Sequence, residues 1–349
     1  MEISAETIPK SEIVPKQIQP PSPAGLIAVQ TMWRSCGTYL WSKFRQNPHF
    51  CAFDEPLHEK LLSATAESFR AEKNEGVESR LRHPSMARHY FAEYPFLEGG
   101  GVPLFHKRFS FERYYMHADE GDPQLQKYLS NLILRAHQQL QRPVAKFCRA
   151  GLRTAWMAKV FSPTVIYLLR DPEAMFRSYW SFGGAESYFL FAMTLVVSKN
   201  RECPLFAEAA EIFKIPYVEK NSAQEELTEI YRLTRAFDAQ QWRDLFLLFW
   251  ALHLQHNAAY CGLLLDIDLL ATEKRYREQT GEAVNELLRT RLSFADARLS
   301  ATAEAPGKSI SSQGLALARN ALRNLPEKLD ALHLQNMSEG SRRTMEAVL

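Results

Sequence analysis

Nine residues, "TVIYLLRDP" from Thr164 to Pro172, constrain the fold more than any other stretch. The run from Val165 to Leu169 is continuously apolar and too short for a buried helix. It therefore reads as a strand covered on both faces, which is the habit of parallel sheets. Asp171 is a natural N-cap and Pro172 suits the first turn of a following helix. Neighbouring parallel strands need long crossovers, so the rest of the chain should alternate strands with helices.

That alternation is visible. Leu26–Gln30 reads as a strand, and Thr38–Asn47 as the helix after it. "HFCAF" is a second strand ending at Asp54-Glu55-Pro56. Residues 57 to 94 read as irregular helix. A Gly-rich loop leads to an expected strand at Val102–Phe105. A helix is expected over 123–141, a strand at "PVAKFC", and a helix from Leu152 to Phe161. Beyond Thr164–Pro172 the chain reads as mostly helical. Leu245, Leu248, Phe249 and Leu252 form a core-facing stripe. "GLLLDIDLL" gives a last strand ending near Asp266. A helix over 280–290, a loop around Gly307-Lys308 and a helical tail follow. The expected fold is α/β, a doubly wound, mostly parallel sheet flanked by helices with a helix-rich C-terminal half.

With 349 residues, the chain suits one large α/β domain or two small ones. Its net charge of +2 argues against bulk nucleic-acid binding, so an anion site must be local. Five scattered cysteines show no paired spacing. They support neither a metal site nor a disulfide framework, and a reducing cytoplasm fits them. Residues 1–24 are polar and Pro-rich and read as a flexible arm without a signal peptide. The apolar stretch "LFLLFWALHLQHNAAY" is interrupted by polar residues and too short to span a bilayer.

Two segments carry candidate chemistry. In "WRSCGTYLW", a strand enters a turn and a helix leaves it. First-turn N–H groups and the helix dipole favour an anion there. Gly37 permits close approach, Ser35 and Thr38 offer hydroxyls, and Arg34 offers a full charge. This is not the nucleotide-triphosphate loop, which needs G-x-x-x-x-G-K-[ST]. In "LLRDPEAMFRSYWSF", Arg170 ends a strand and Ser178 lies eight residues on, about two helical turns. Arg170 can grip a phosphate with both arms of its guanidinium. Both arginines follow strands, which puts them on the carboxyl edge of the expected sheet, where such sheets bind ligands. Alone, the first segment could equally be an ordinary capped helix start, and the second a surface Arg paired with Asp171 and a Ser within a helix.

Together, in this order, the two segments resemble the paired motifs of the PAPS-dependent sulfotransferases, where PAPS is 3′-phosphoadenosine-5′-phosphosulfate. "FDEPLHE", "KFCRAGLR" and "DIDLL" are similar to the bacterial carbohydrate-modifying branch. The resemblance covers roughly residues 25 to 290. It implies a single P-loop-like domain over 25–349 with helical lid segments and a C-terminal tail. It also implies transfer of a sulfuryl group from PAPS to a hydroxyl of a carbohydrate or other small molecule, with no metal required. Arg34 matches the residue that polarises the bridging oxygen. Ser35, Gly37 and Thr38 match positions around the 5′-phosphate, and Tyr39 an aromatic near the adenine. Arg170 and Ser178 match the 3′-phosphate pair. Cys36 departs from the pattern, standing where many members have Gly, so the flexible position would shift by one. By the same resemblance, Lys308 would close on the nucleotide from the C-terminal loop.

The acceptor hydroxyl must lose a proton, so a base is needed within hydrogen-bond reach. Glu55, at the end of the second strand, ranks first and matches the acid of the bacterial branch. His106, at the end of the expected Val102 strand, ranks second, and His58 third. Lys107 or Arg108 could contact the donor, and Arg149 and Arg153 could line the cleft or act as structural ion-pair partners. Two rival readings stay open at this level: a P-loop nucleotide kinase or NTPase, and a non-catalytic nucleotide-binding scaffold of the same fold. Aromatics such as Tyr188 and Phe189 could stack on a sugar or fill core.

Overall fold

A computed structural model describes residues 25–71, 86, 88–299, 305, 310–325 and 337–349. The proposed arm, 1–24, and Lys308 lie outside the described residues.

Five strands form one sheet: β1 Ile27–Thr31, β2 Phe50–Asp54, β3 Arg142–Phe147, β4 Thr164–Leu169 and β5 Leu263–Asp266. Their order is β2-β3-β1-β4-β5, and every pairing is parallel. All five residues of β1 and of β2 are buried, as expected for strands covered on both faces. The connection leaving β1 runs to β2 on one side of the sheet, and the one leaving β4 runs to β5 on the other. The chain therefore diverges between β1 and β4, the position at which sheets of this topology form a ligand crevice.

Helices connect the strands: α1 Gly37–Arg45, α2 Ala66–Ala71, α3 Pro123–Gln138, α4 Thr154–Phe161 and α5 Pro172–Trp180. Then come α6 Tyr188–Lys199, α7 Pro204–Ile212, α8 Ala223–Thr234 and α9 Ala239–Ala258. The chain ends with α10 Ile267–Thr272, α11 Lys274–Leu288, α12 Ser312–Leu322 and α13 Glu339–Val348. One apolar core joins α1, α3, α4 and α11 to the sheet, and a second joins α5, α6, α7, α9 and α12. As the sequence indicates, Asp171 caps α5, accepting from the Ala174 N–H at 2.6 Å, with Pro172 in the first turn.

Several expectations need correction. Val102–Phe105 is not a strand. It is a turn, tied by the Val102 N–H to the Leu61 carbonyl and by the Phe105 N–H to Val102. Leu104 within it has φ +68°, incompatible with an extended run. Between 57 and 94, the described helical segments are a 3₁₀ turn at Glu59–Leu62 and α2; the rest of the described stretch there is turn and loop. The helix expected over 280–290 begins at Lys274. Helix α9 is not amphipathic. It is buried nearly all round, from Trp242 to Ala258, because the second core wraps it.

Candidate functional site

The loop between β1 and α1 is backbone-strained at two places. Arg34 and Cys36 both have positive φ, +66° and +58°. Side-chain-bearing residues avoid that region, and such strain concentrates where a backbone must present groups in one arrangement. The left-handed position is thus Cys36 and not Gly37. Gly37 is required for packing: a Cβ there would lie 2.8 Å from Thr31 Cγ2 and 3.0 Å from Lys146 Cδ. Cys36 caps α1 with no side-chain hydrogen bond, so the first-turn N–H groups have no cap. Burial pushes the Cys36 thiol pKa up, and the nearby Arg170 and Arg34 guanidiniums oppose that rise.

The two segments separated by more than 130 residues meet here. Arg34 Nε donates to Ser178 Oγ at 3.1 Å. Its guanidinium lies on the Phe182 ring, 4.4 Å from the centroid. Arg170, almost fully buried, donates through Nη1 to the Arg34 carbonyl at 2.7 Å. Its Nε faces Asp268 Oδ1 at 3.8 Å, and its Nη2 makes no hydrogen bond among the described residues. Arg34, Ser178 and Arg170 therefore converge at the crevice between β1 and β4. Two other residues of the expected set are committed elsewhere. Ser35 Oγ donates to the Met32 carbonyl, and the Tyr39 hydroxyl donates to Asp296 at 2.8 Å. The Thr38 side chain is buried at the start of α1.

Glu55 follows β2 on the same edge, with φ +48°. One carboxylate oxygen accepts from the Cys148 N–H at 3.2 Å and from Arg149 at 3.0 Å; the other lies 3.0 Å from Lys146 Nζ. Burial works to raise its pKa, but Lys146 and Arg149 attract the charge more strongly and hold it well below the usual carboxylate range. Lys146 also holds Asp54 at 2.7 Å, and burial pushes Asp54 up against that attraction. Arg149 reaches on to Glu59 at 3.0 Å and to the Tyr188 hydroxyl at 3.1 Å. Tyr188 in turn donates to Glu59. Arg153 lies apart from this network and donates to the Phe109 carbonyl.

Of the two histidines, His106 stands differently from expectation. His106 ends no strand. It is the exposed N-cap of the 3₁₀ turn Lys107–Phe109, its Nδ1 accepting from the Arg108 N–H. His58 caps the 3₁₀ turn Glu59–Leu62 in the same way, through Nδ1 and the Lys60 N–H. His58 Nδ1 also lies 3.3 Å from Glu59 Oε2. Burial lowers the His58 pKa to about 4. The three candidate bases are thus all engaged: each imidazole through Nδ1, and Glu55 through both carboxylate oxygens. Lys107 Nζ donates to the Lys220 carbonyl and Arg108 pairs with Asp122, so both are engaged away from the crevice.

The charge network and the anion loops adjoin. The Arg149 guanidinium lies 5.5 Å from the Trp33 ring, one residue before Arg34. Phe189 faces Arg34 at 5.6 Å while its neighbour Tyr188 binds Arg149. The start of α6 thus spans both. Sequence reasoning passed over Lys146 and Glu59, named Asp54 only as a strand end, and weighed Tyr188 only as a stacking or core aromatic. A signal existed for Lys146 and Asp54: a Lys inside an apolar strand needs a buried partner, and Asp54 is its direct register partner on β2.

Among the described residues, no helix is long and apolar enough to cross a membrane. Comparison with family models, with curated proteins and with solved structures returns no match to this chain.

Proposed function

We propose that this chain is a sulfotransferase that moves the sulfuryl group of PAPS to a hydroxyl of a carbohydrate or other small-molecule acceptor. The observation that carries the reading is the junction of Arg34, Ser178 and Arg170 at the crevice between β1 and β4. Two cationic side chains and an uncapped helix start meet there, as a donor with separate 5′ and 3′ anionic groups would require. Sulfuryl transfer, like phosphoryl transfer, depends on position and charge more than on covalent help. In this reading Arg34 stabilises charge developing on the bridging oxygen, and Arg170 with Ser178 holds the 3′-phosphate. Glu55 takes the acceptor proton. Its ion pairs keep it ionised, and the strained backbone holds it at the edge. Tyr188 and Phe189 lie between base and loop, where an acceptor would sit.

The test is calorimetric titration with 3′,5′-adenosine bisphosphate, with and without magnesium, on the wild type and on Arg170→Ala. Metal-independent binding that the substitution abolishes is the expected result. Binding of ATP only with magnesium would turn the assignment to a kinase. Binding of neither would leave a scaffold.

A further inference from the structure

The opposite edge of the sheet holds a second basic site. At the amino ends of β2 and β3 lies a half-enclosed cavity of about 440 Å³, lined by Arg45, Arg88, Arg135, Glu93, Gln46 and Gln139 among others. That volume admits a small molecule, and its walls are polar. Among the described lining residues, three guanidiniums stand beside one carboxylate.

The carboxylate does not answer all three. Glu93 is almost fully buried and takes Arg45 in a forked pair at 3.0 and 3.2 Å, with Arg88 at 3.1 Å on the same oxygen as the shorter contact. Arg45 spends its remaining donors on the carbonyls of Arg88 and His89. Arg45 is thereby a strap, tying the segment before Tyr90 to the end of α1. Arg135 differs. Its Nε donates to the Glu93 carbonyl at 3.2 Å, which fixes the plane of the guanidinium. Its two terminal nitrogens make no hydrogen bond among the described residues. Burial raises the Glu93 pKa against the pull of Arg45, and Cys51 at the cavity wall is likewise pushed up, to about 11, mainly by burial.

We propose that this cavity is a second anion site, taking a small oxyanion, phosphate or carboxylate, on a polar molecule. Arg135 supplies the paired donors, Arg88 adds charge, and the Gln46 and Gln139 amides supply neutral hydrogen bonds at the rim. The site does not depend on the sulfotransferase reading. Helix α1 connects the two edges: it begins at Gly37, just after the Arg34 loop, and ends at Arg45.

The experiment uses the whole chain carrying Arg170→Ala, so that binding at the opposite edge is weakened. Phosphate and succinate are titrated separately against chloride at constant ionic strength, and crystals are soaked in selenate, whose selenium reports its own position. The expected result is saturable binding of one of the two anions, which identifies the source, with selenate density between Arg135 and Arg88. Adding Arg135→Gln weakens binding by about tenfold or more. Gln139→Glu, at an exposed position, does the same by charge without disturbing the fold. Selenate density only outside the cavity, or affinity unchanged in both variants, overturns the proposal.

Discussion

Arg34 Nε and Ser178 Oγ lie 3.1 Å apart although 144 residues separate them in the chain. That bond helps to fix the guanidinium on the Phe182 ring, 4.4 Å from its centroid. Under the proposed reaction, Arg34→Ala removes a charge aimed at the breaking bond. The expected loss is about 10²–10³ in kcat, with a smaller change in nucleotide affinity. Arg34→Lys recovers little, because a point charge neither stacks nor forks. Ser178→Ala shows the opposite split, weakening 3′,5′-adenosine bisphosphate about tenfold with kcat nearly kept. Steady-state kinetics with calorimetry on the same proteins separates the two patterns. Equal losses in kcat for both variants would mean that the bond merely holds the fold.

The identity of the base has its own readout. Glu55 is held ionised far below neutral pH by Lys146 and Arg149. A group with a depressed pKa keeps its charge as pH falls toward that pKa. The proposed activity should therefore show no acid limb from pH 8 to 5 that Glu55→Gln removes. A base that titrates inside that window would give a fall toward acid pH; His58, lowered to about 4 by burial, would not. Glu55→Gln is expected to cut the rate by about 10²–10⁴ while leaving nucleotide binding intact. An acid limb between pH 8 and 5 that disappears in His106→Gln would move the role to His106.

Much of the sheet was legible because its strands are short apolar runs punctuated by Gly, Pro and Asp, as at Leu169-Arg170-Asp171-Pro172. The Val102 segment misled because a four-residue apolar run has no periodicity of its own. Its conformation is set from outside. Val102 pairs with Leu61, and Gly100 and Gly101 press so close to Ser63 and Leu62 that a Cβ would meet their carbonyl oxygens. The arginine loops were legible as chemistry. The Lys146 network was not, since it joins residues from β2, β3, the 3₁₀ turn and α6, and only the register brings them together.

Cys36 and Gly37 give a paired test of the loop. Cys36 occupies the left-handed region, which costs a side-chain-bearing residue roughly 1–2 kcal/mol relative to its usual conformations. Cys36→Gly removes that strain and should be neutral or stabilising by a few tenths to about 1 kcal/mol. Gly37→Ala drives a methyl into Thr31 and the Lys146 stem and should destabilise by about 1–3 kcal/mol. Urea unfolding of the two variants checks the contrast. A harmless Gly37→Ala would mean that the start of α1 shifts freely.

The buried His253 predicts a pH dependence of stability. The single Tyr114 hydroxyl hydrogen goes to the Cys148 carbonyl at 2.9 Å, so that oxygen accepts from His253 Nε2, 2.8 Å away. Nδ1 is then unprotonated, buried and without a partner among the described residues. Protonating it would place an N–H where nothing accepts, and burial lowers the pKa to about 3. The unfolded chain takes up that proton near pH 6.5. The folded form is therefore favoured above pH 6.5, and that advantage is lost at about 1.4 kcal/mol per pH unit as pH falls toward 3. Asp266 acts in the opposite direction: burial raises its pKa to about 6, so protonation helps the folded state as pH falls. The two partly cancel in the wild type, and the informative quantity is the difference from His253→Gln. That side chain can still donate to Tyr114 but does not titrate. Between pH 6.5 and 5 the variant should lose about 2 kcal/mol less than the wild type in urea unfolding. Identical pH dependence in the two proteins would show that His253 takes up its proton in the folded state, against the hydrogen bonding described here.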